Sequence, residues 1–244
     1  MQPSANSHAF STARSWLLCR TLASGLLVTL AAPLAGCGGD GDEHRFIPVP
    51  LGDSPQSGPA GAWLTVVEFI DFDCPYTQRA YFTIGQLQES YGEDVRLVFK
   101  HFPLLKHERA LPAAIAVECA SALGGFWSMQ AAVLNYEAVS EEGLLRFADM
   151  LLGPERLAEW QDCRASSEPR ARIDADVELG RALGVPGTPT LFVNGRMLNG
   201  ALSLGEYQSI FDEELDKARK SGVASEDYYE QVVLGVAPSA GQTE

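Results

Sequence analysis

Val66-Val67-Glu68-Phe69-Ile70-Asp71-Phe72-Asp73-Cys74-Pro75-Tyr76-Thr77 is the stretch on which the reading of this 244-residue chain turns. Its first half belongs to an apolar run, rich in β-branched and aromatic residues, from Trp63 to Ile70 between Gly61 and Asp71. Such a run predicts a buried strand. Its second half places Pro75 directly after Cys74, and Gln78, Arg79, Ala80, Ile84, Leu87 and Glu89 then favour a helix ending near Tyr91-Gly92. Proline is well tolerated in the first position of a helix. Cys74 therefore stands at a helix N-terminus, where unpaired N–H groups and the positive end of the helix dipole favour thiolate over thiol. The alternative is a small buried thiol that happens to precede a proline.

Downstream, Val95 to Phe99 reads as a second strand, and the proline of His101-Phe102-Pro103 forces a turn. A helical block runs from His107 to Leu183, broken at Gly124-Gly125, Ser140, Gly153-Pro154 and Glu168-Pro169. Thr190 to Val193 is a short β run, and Asn194-Gly195 is a hairpin signal leading into Arg196 to Leu198. Ser203 followed by Glu206 forms a capping box opening a helix to about Lys220. This order predicts an α/β domain over residues 61–220 with an all-helical insertion at about 104–183, followed by a C-terminal tail over 221–244.

Upstream, residues 1–36 contain Arg14 and Arg20, no acidic residue, and an apolar stretch from Thr21 to Leu34. That is the layout of an export signal, too short for a comfortable membrane span. It ends in Leu34-Ala35-Gly36-Cys37, which resembles the lipobox of bacterial lipoproteins, with Cys37 as the lipidated new N-terminus. The alternative is an ordinary secretory signal with Cys37 left as a free thiol. Either way the protein is expected to be exported; the lipoprotein reading places it on the periplasmic side of the membrane, lipid-anchored, and Gly38 after the lipidated cysteine points to the outer one. Residues 37–60, rich in Gly, Pro, Ser and Asp, read as a flexible tether despite the apolar cluster Phe46-Ile47-Pro48-Val49.

The formal net charge is −14, and cleavage would remove basic residues only. So acidic a surface repels nucleic acid and anionic headgroups, so membrane attachment is expected through the lipid chains. His8, His44, His101 and His107 show no metal-ligand spacing with one another or with the cysteines, and no Gly-rich phosphate loop is present. No metal and no cofactor are expected, and His101 and His107 read as structural or exposed.

The residues from Val66 to Tyr76, together with Lys100-His101-Phe102-Pro103-Leu104 and the segment Gly184 to Gly195, resemble three segments of the DsbA family of thiol/disulfide oxidoreductases. They occur in the family's order over roughly Gly61 to Arg219. The resemblance implies a thioredoxin fold, the helical block being an insertion within it, and a catalytic Cys74. It implies a cis-proline turn at Thr188-Pro189 that pairs with an extended substrate, Pro186 being the competing proline. Pro75 and Tyr76 would line the same substrate site. Glu68 matches the family's acidic residue beneath the active site; the alternative is a strand carboxylate facing solvent. Cys119 and Cys163 match cysteines that pair in many relatives, the alternative being two free buried thiols. Closing that loop of about 45 residues would be worth roughly 4 kcal/mol.

The sequence departs from the family where Cys-X-X-Cys becomes Cys74-Pro75-Tyr76-Thr77. Thr77 cannot resolve a mixed disulfide, though its hydroxyl, one helical turn along, is positioned to donate a hydrogen bond to the Cys74 sulfur. The expected activity is single-cysteine exchange, of isomerase or reductase type, on cysteine-containing secreted proteins or small thiols. The alternative is a non-catalytic peptide-binding or chaperone module using the same groove. Peroxide reduction is disfavoured, because no threonine stands where peroxidases place one before the cysteine.

Overall fold

The computed structural model describes residues 46–135 and 139–237. The leader, Cys37, the first part of the tether and the end of the tail lie outside the described residues. In chain order the elements are β1 (Gln56–Ser57), β2 (Leu64–Ile70), α1 (Pro75–Tyr91), β3 (Val95–His101), α2 (Ala110–Ala122) and α3 (Phe126–Asn135). There follow α4 (Glu141–Leu152), α5 (Pro154–Ala165), α6 (Glu168–Leu183), β4 (Thr190–Val193), β5 (Arg196–Asn199), α7 (Leu204–Arg219) and α8 (Ser225–Tyr228). A π-helical turn, Tyr229–Val233, continues from α8.

The sheet order is β1-β3-β2-β4-β5. β2 and β3 are parallel, with α1 as the crossover, and every other pairing is antiparallel. Every residue of β2 is buried, which explains why its sequence is a continuous apolar run and does not alternate. One apolar cluster joins Leu64 and Val66 to Ile84 and Leu87 of α1 and to Tyr207 and Phe211 of α7. The other joins Val67 and Phe69 to Val117, Trp160, Ile173 and Val177 of the helices between β3 and β4. The molecule is thus a thioredoxin fold carrying an all-helical insertion.

β3 runs to His101, beyond the expected end at Phe99, because His101 pairs with Ile70 and its N–H donates to Asp176 Oδ2 at 2.9 Å. At the β4–β5 hairpin Asn194 takes φ 46° and Gly195 φ 88°, the left-handed conformations this tight turn demands. The Asn194 side chain also accepts from Thr65 N (2.9 Å) and donates to Trp63 O (3.0 Å), locking the hairpin to β2.

Two expectations are corrected. From Phe46 onward the tether is not free: Ile47, Val49 and Leu51 are buried, Gln56–Ser57 pairs with β3, and Ile47 N donates to Gly195 O. The alternation Ile47-Pro48-Val49-Pro50-Leu51 is a period-2 pattern that turns its apolar side chains inward while two prolines keep it out of any ladder. Nor is the chain after residue 220 merely a tail. Tyr228, Tyr229 and Val233 are buried, and the Tyr229 hydroxyl donates to Val49 O at 2.8 Å. Each segment supplies the apolar partner that the other lacks on its own.

Candidate active site

The turn 71–73 delivers the chain from β2 to α1, with Cys74 as the helix N-cap (φ −89°, ψ 120°) and Pro75 at the first turn. Cys74 N donates to Asp71 O (3.2 Å), and Cys74 O accepts from Thr77 N (3.0 Å) and Gln78 N (3.3 Å). The Cys74 residue is 4% exposed. Its Sγ lies 3.2 Å from Thr188 O, the thiol donating to the carbonyl. The Thr188-Pro189 bond is cis, and among the described residues it is the cis peptide, so Pro186 does not take that role. β4 begins at the next residue, Thr190, and its pairing with β2 is what carries Thr188 to the sulfur.

Thr77 requires a correction. Its hydroxyl is buried and has no hydrogen-bond partner, so the bond expected from it to the Cys74 sulfur is not formed. Thr77, Ala80, Ile84 and Leu87 make one buried stripe along α1. The side chain belongs to that buried stripe, and the Thr188 carbonyl is the sulfur's hydrogen-bond partner instead.

Glu68 is buried in β2, and burial pushes its pKa up to about 8. The solvent-facing alternative for this residue does not hold. It lines a cleft of about 470 Å³ with Tyr81, Phe82, Trp127 and Gln130.

Sequence reasoning missed the clamp that holds the active-site turn. The buried Asp71 carboxylate accepts from Asp73 N and Leu104 N, each at 2.8 Å, and His107 Nδ1 lies 2.8 Å from the same oxygen that Leu104 reaches. Asp73 meets the Arg109 guanidinium at 2.8 Å. The β3–α2 loop is thereby tied down beside Cys74. His107, read from sequence as structural or exposed, helps to wall the site. No local pattern announces such pairs, whose members lie more than thirty residues apart; the acidic Asp71-x-Asp73 spacing is the sole hint.

Cys74 sits in a cleft of about 630 Å³ bounded by Tyr76, Leu105, Lys106, Arg181 and Thr188. Tyr76 is half exposed, with the Arg79 guanidinium 5.2 Å from its ring centre, and Leu105 is 96% exposed. Pro75 is exposed beside them. Cys119 of α2 and Cys163 of α5 form a disulfide with Cα atoms 5.8 Å apart, leaving Cys74 as the free cysteine of the described residues. The arrangement can bring one nucleophilic sulfur and a backbone edge to an incoming disulfide.

A thioredoxin family model matches residues 52–213. A thioredoxin-like oxidoreductase structure from Silicibacter pomeroyi is 29% identical, with TM-score 0.60, covering 68% of this chain and 92% of that one. The thiol-disulfide exchange protein alpha-DsbA2 of Wolbachia pipientis shares the fold at 23% identity and TM-score 0.59, covering 66% and 86% of the two chains. Among curated proteins, the Na(+)/H(+) antiporter NhaA 3 of Salinispora tropica is 35% identical over 195 residues, 78% of this chain and 29% of the relative. The chain thus spans less than a third of the length of the curated relative it matches there. Among the described residues no helix is long and apolar enough to cross a membrane.

Proposed function

The chain belongs to the thioredoxin family, and from that premise we propose that it is a thiol/disulfide exchange protein whose chemistry rests on Cys74 alone. The observation that carries the reading is the Cys74 sulfur at the N-cap of α1, 3.2 Å from the Thr188 carbonyl that precedes the cis proline. Ionisation removes the proton that bonds Sγ to Thr188, which frees the sulfur for attack. The thiolate then attacks one sulfur of a substrate disulfide, forming a mixed disulfide and expelling the other sulfur as a thiolate. With Thr77 where a resolving cysteine would stand, and Cys119 bonded to Cys163, the return step belongs to the substrate's own thiol or to an external one. The first outcome is isomerisation and the second reduction.

The substrates are cysteine-containing secreted proteins or small thiols, met on the periplasmic side of the membrane, where Cys37 anchors the protein through lipid. The leader pattern supports that location, as does an internal disulfide of a kind that persists in oxidising compartments. A second reading, a polypeptide-binding module without catalysis, is favoured by the exposed Leu105 and Tyr76 beside a buried sulfur.

The test is reaction of the protein with a glutathionylated model peptide, followed by intact mass spectrometry. A transient adduct confined to Cys74, formed faster than on an exposed free cysteine and absent in Cys74→Ser, is the expected result. In Thr77→Cys the introduced thiol should resolve that adduct internally. If Cys74 reacts no faster than a free cysteine, the binding module takes the place of the enzyme.

A further inference from the structure

Resting on the exchange function just described, we infer that the cleft beside Cys74 selects disulfides bearing carboxylates close to their sulfur, and that the resolving thiol is a small anionic one of the glutathione type. The protein as a whole is strongly acidic, at −14. The 630 Å³ cleft nonetheless holds Lys106 and Arg181 in its lining and no carboxylate. Both side chains are exposed, and neither has an ion-pair partner among the described residues.

The two acidic residues of the active-site turn are engaged. Asp71 is buried and engaged by Leu104 N, Asp73 N and His107, and Asp73 faces Arg109. Arg181 also borders an adjoining cleft that holds Glu108, Asp174 and Glu178, of which Asp174 is paired to Arg170, so Lys106 is the cation set apart from carboxylates. Lys106 comes from the β3–α2 loop and Arg181 from the last turn of α6, so the two cations approach the sulfur's cleft from separate elements. Unpaired cations lining a concave site raise the local concentration of anions, and the volume is that of a small-ligand site.

The exchange balances without a second protein cysteine. The Cys74 thiolate attacks the glutathione sulfur of a mixed disulfide R–S–S–G, giving Cys74–S–S–G and releasing R–S⁻, which takes up a proton. A second glutathione thiolate attacks Cys74–S–S–G, forming oxidised glutathione and restoring the Cys74 thiolate. In sum R–S–S–G and one glutathione thiol give R–SH and oxidised glutathione: the R sulfur is reduced to a thiol as the incoming glutathione sulfur is oxidised into the new disulfide.

The test measures mixed-disulfide formation at Cys74 with oxidised glutathione, cationic cystamine and neutral hydroxyethyl disulfide, each rate divided by that of a free cysteine peptide. The protein should prefer the anionic over the cationic disulfide by about tenfold, and salt should erode the preference. In Lys106→Glu/Arg181→Glu the ratio of the anionic to the cationic rate should fall to about one or invert. An acidic cysteine peptide disulfide that outruns glutathione would assign the carboxylates to a polypeptide and overturn the small-thiol identity. Equal normalised rates for anion and cation, with Cys74 still fast, would overturn the inference alone. A Cys74 no faster than the free peptide with any of them would instead bring down the exchange function.

Discussion

Glu68 is the residue where the sequence alone left solvent-facing and buried placements equally open, and the fold decides between them. A carboxyl group whose pKa is raised to about 8 is still protonated in the folded chain where the unfolded chain, near 4.5, has already released its proton. The stability it contributes is complete below about pH 4.5 and is lost as pH rises through about 8, at roughly 1.4 kcal/mol per unit within that window. Glu68→Gln removes the titration. Urea midpoints at pH 5 and pH 8 should therefore show the variant gaining on the parent by several kcal/mol across the window. The oppositely shifted Glu118, whose pKa His101 and Arg172 hold down, titrates in both proteins and cancels in the difference. Parallel pH profiles for the two proteins would contradict the burial.

Among the elements, α6 shows how a helix behind the site is seated. Gly180 lies where an added Cβ would come within 2.6 Å of the Phe102 ring and 3.0 Å of Phe69. In the sequence this is one small residue inside a helical pattern, with no sign that a strand side chain and a loop side chain converge on it. Gly180→Ala gains helix propensity of up to ~1 kcal/mol, but overpacking typically costs 1 to 3 kcal/mol, so a lowered thermal midpoint is expected. Because Phe102 also lines the Cys74 cleft, exchange at Cys74 should slow as well. A raised midpoint would mean that the rings yield more easily than their burial implies. The hairpin is the contrasting case, since Asn194-Gly195 states its turn in two residues, and only the locking bonds from Asn194 to Thr65 and Trp63 lay beyond local reading.

For the whole molecule, the chain ends of the described region hold each other. Tyr229 covers Val49, and its ring lies 5.6 Å from the Arg96 guanidinium, which also grips Thr65 Oγ1. Tyr228 stands edge-on to Trp63. Ending the chain after Gly222 would strip Tyr228, Tyr229 and Val233 from the core, a loss of about 4 kcal/mol or more at 1.5 to 3 kcal/mol for each large side chain. Limited proteolysis should then open residues 46–51 first. An unchanged midpoint and an uncut N-terminal segment would show that the two ends do not depend on each other. The Cys119–Cys163 bridge makes a comparable contribution within the insertion: with its ends separated by 44 positions in sequence, reducing it in a Cys74→Ala background should cost roughly 4 kcal/mol.

The amino-acid sequence by itself determined the succession of strands and helices around β2, the placement of Cys74 at a helix start, and the β4–β5 turn. Each of these is written within about ten consecutive residues, as an apolar run, a proline, or an Asn-Gly pair. It determined too that a threonine stands where a second active-site cysteine would. Only the tertiary structure decided what the Cys74 sulfur meets, because Thr188 is 114 residues away and reaches it through the antiparallel docking of β4 on β2. The same holds for Asp71 with His107 and for the N-terminal segment with Tyr229. Contacts between distant stretches depend on register and packing, which no local pattern records.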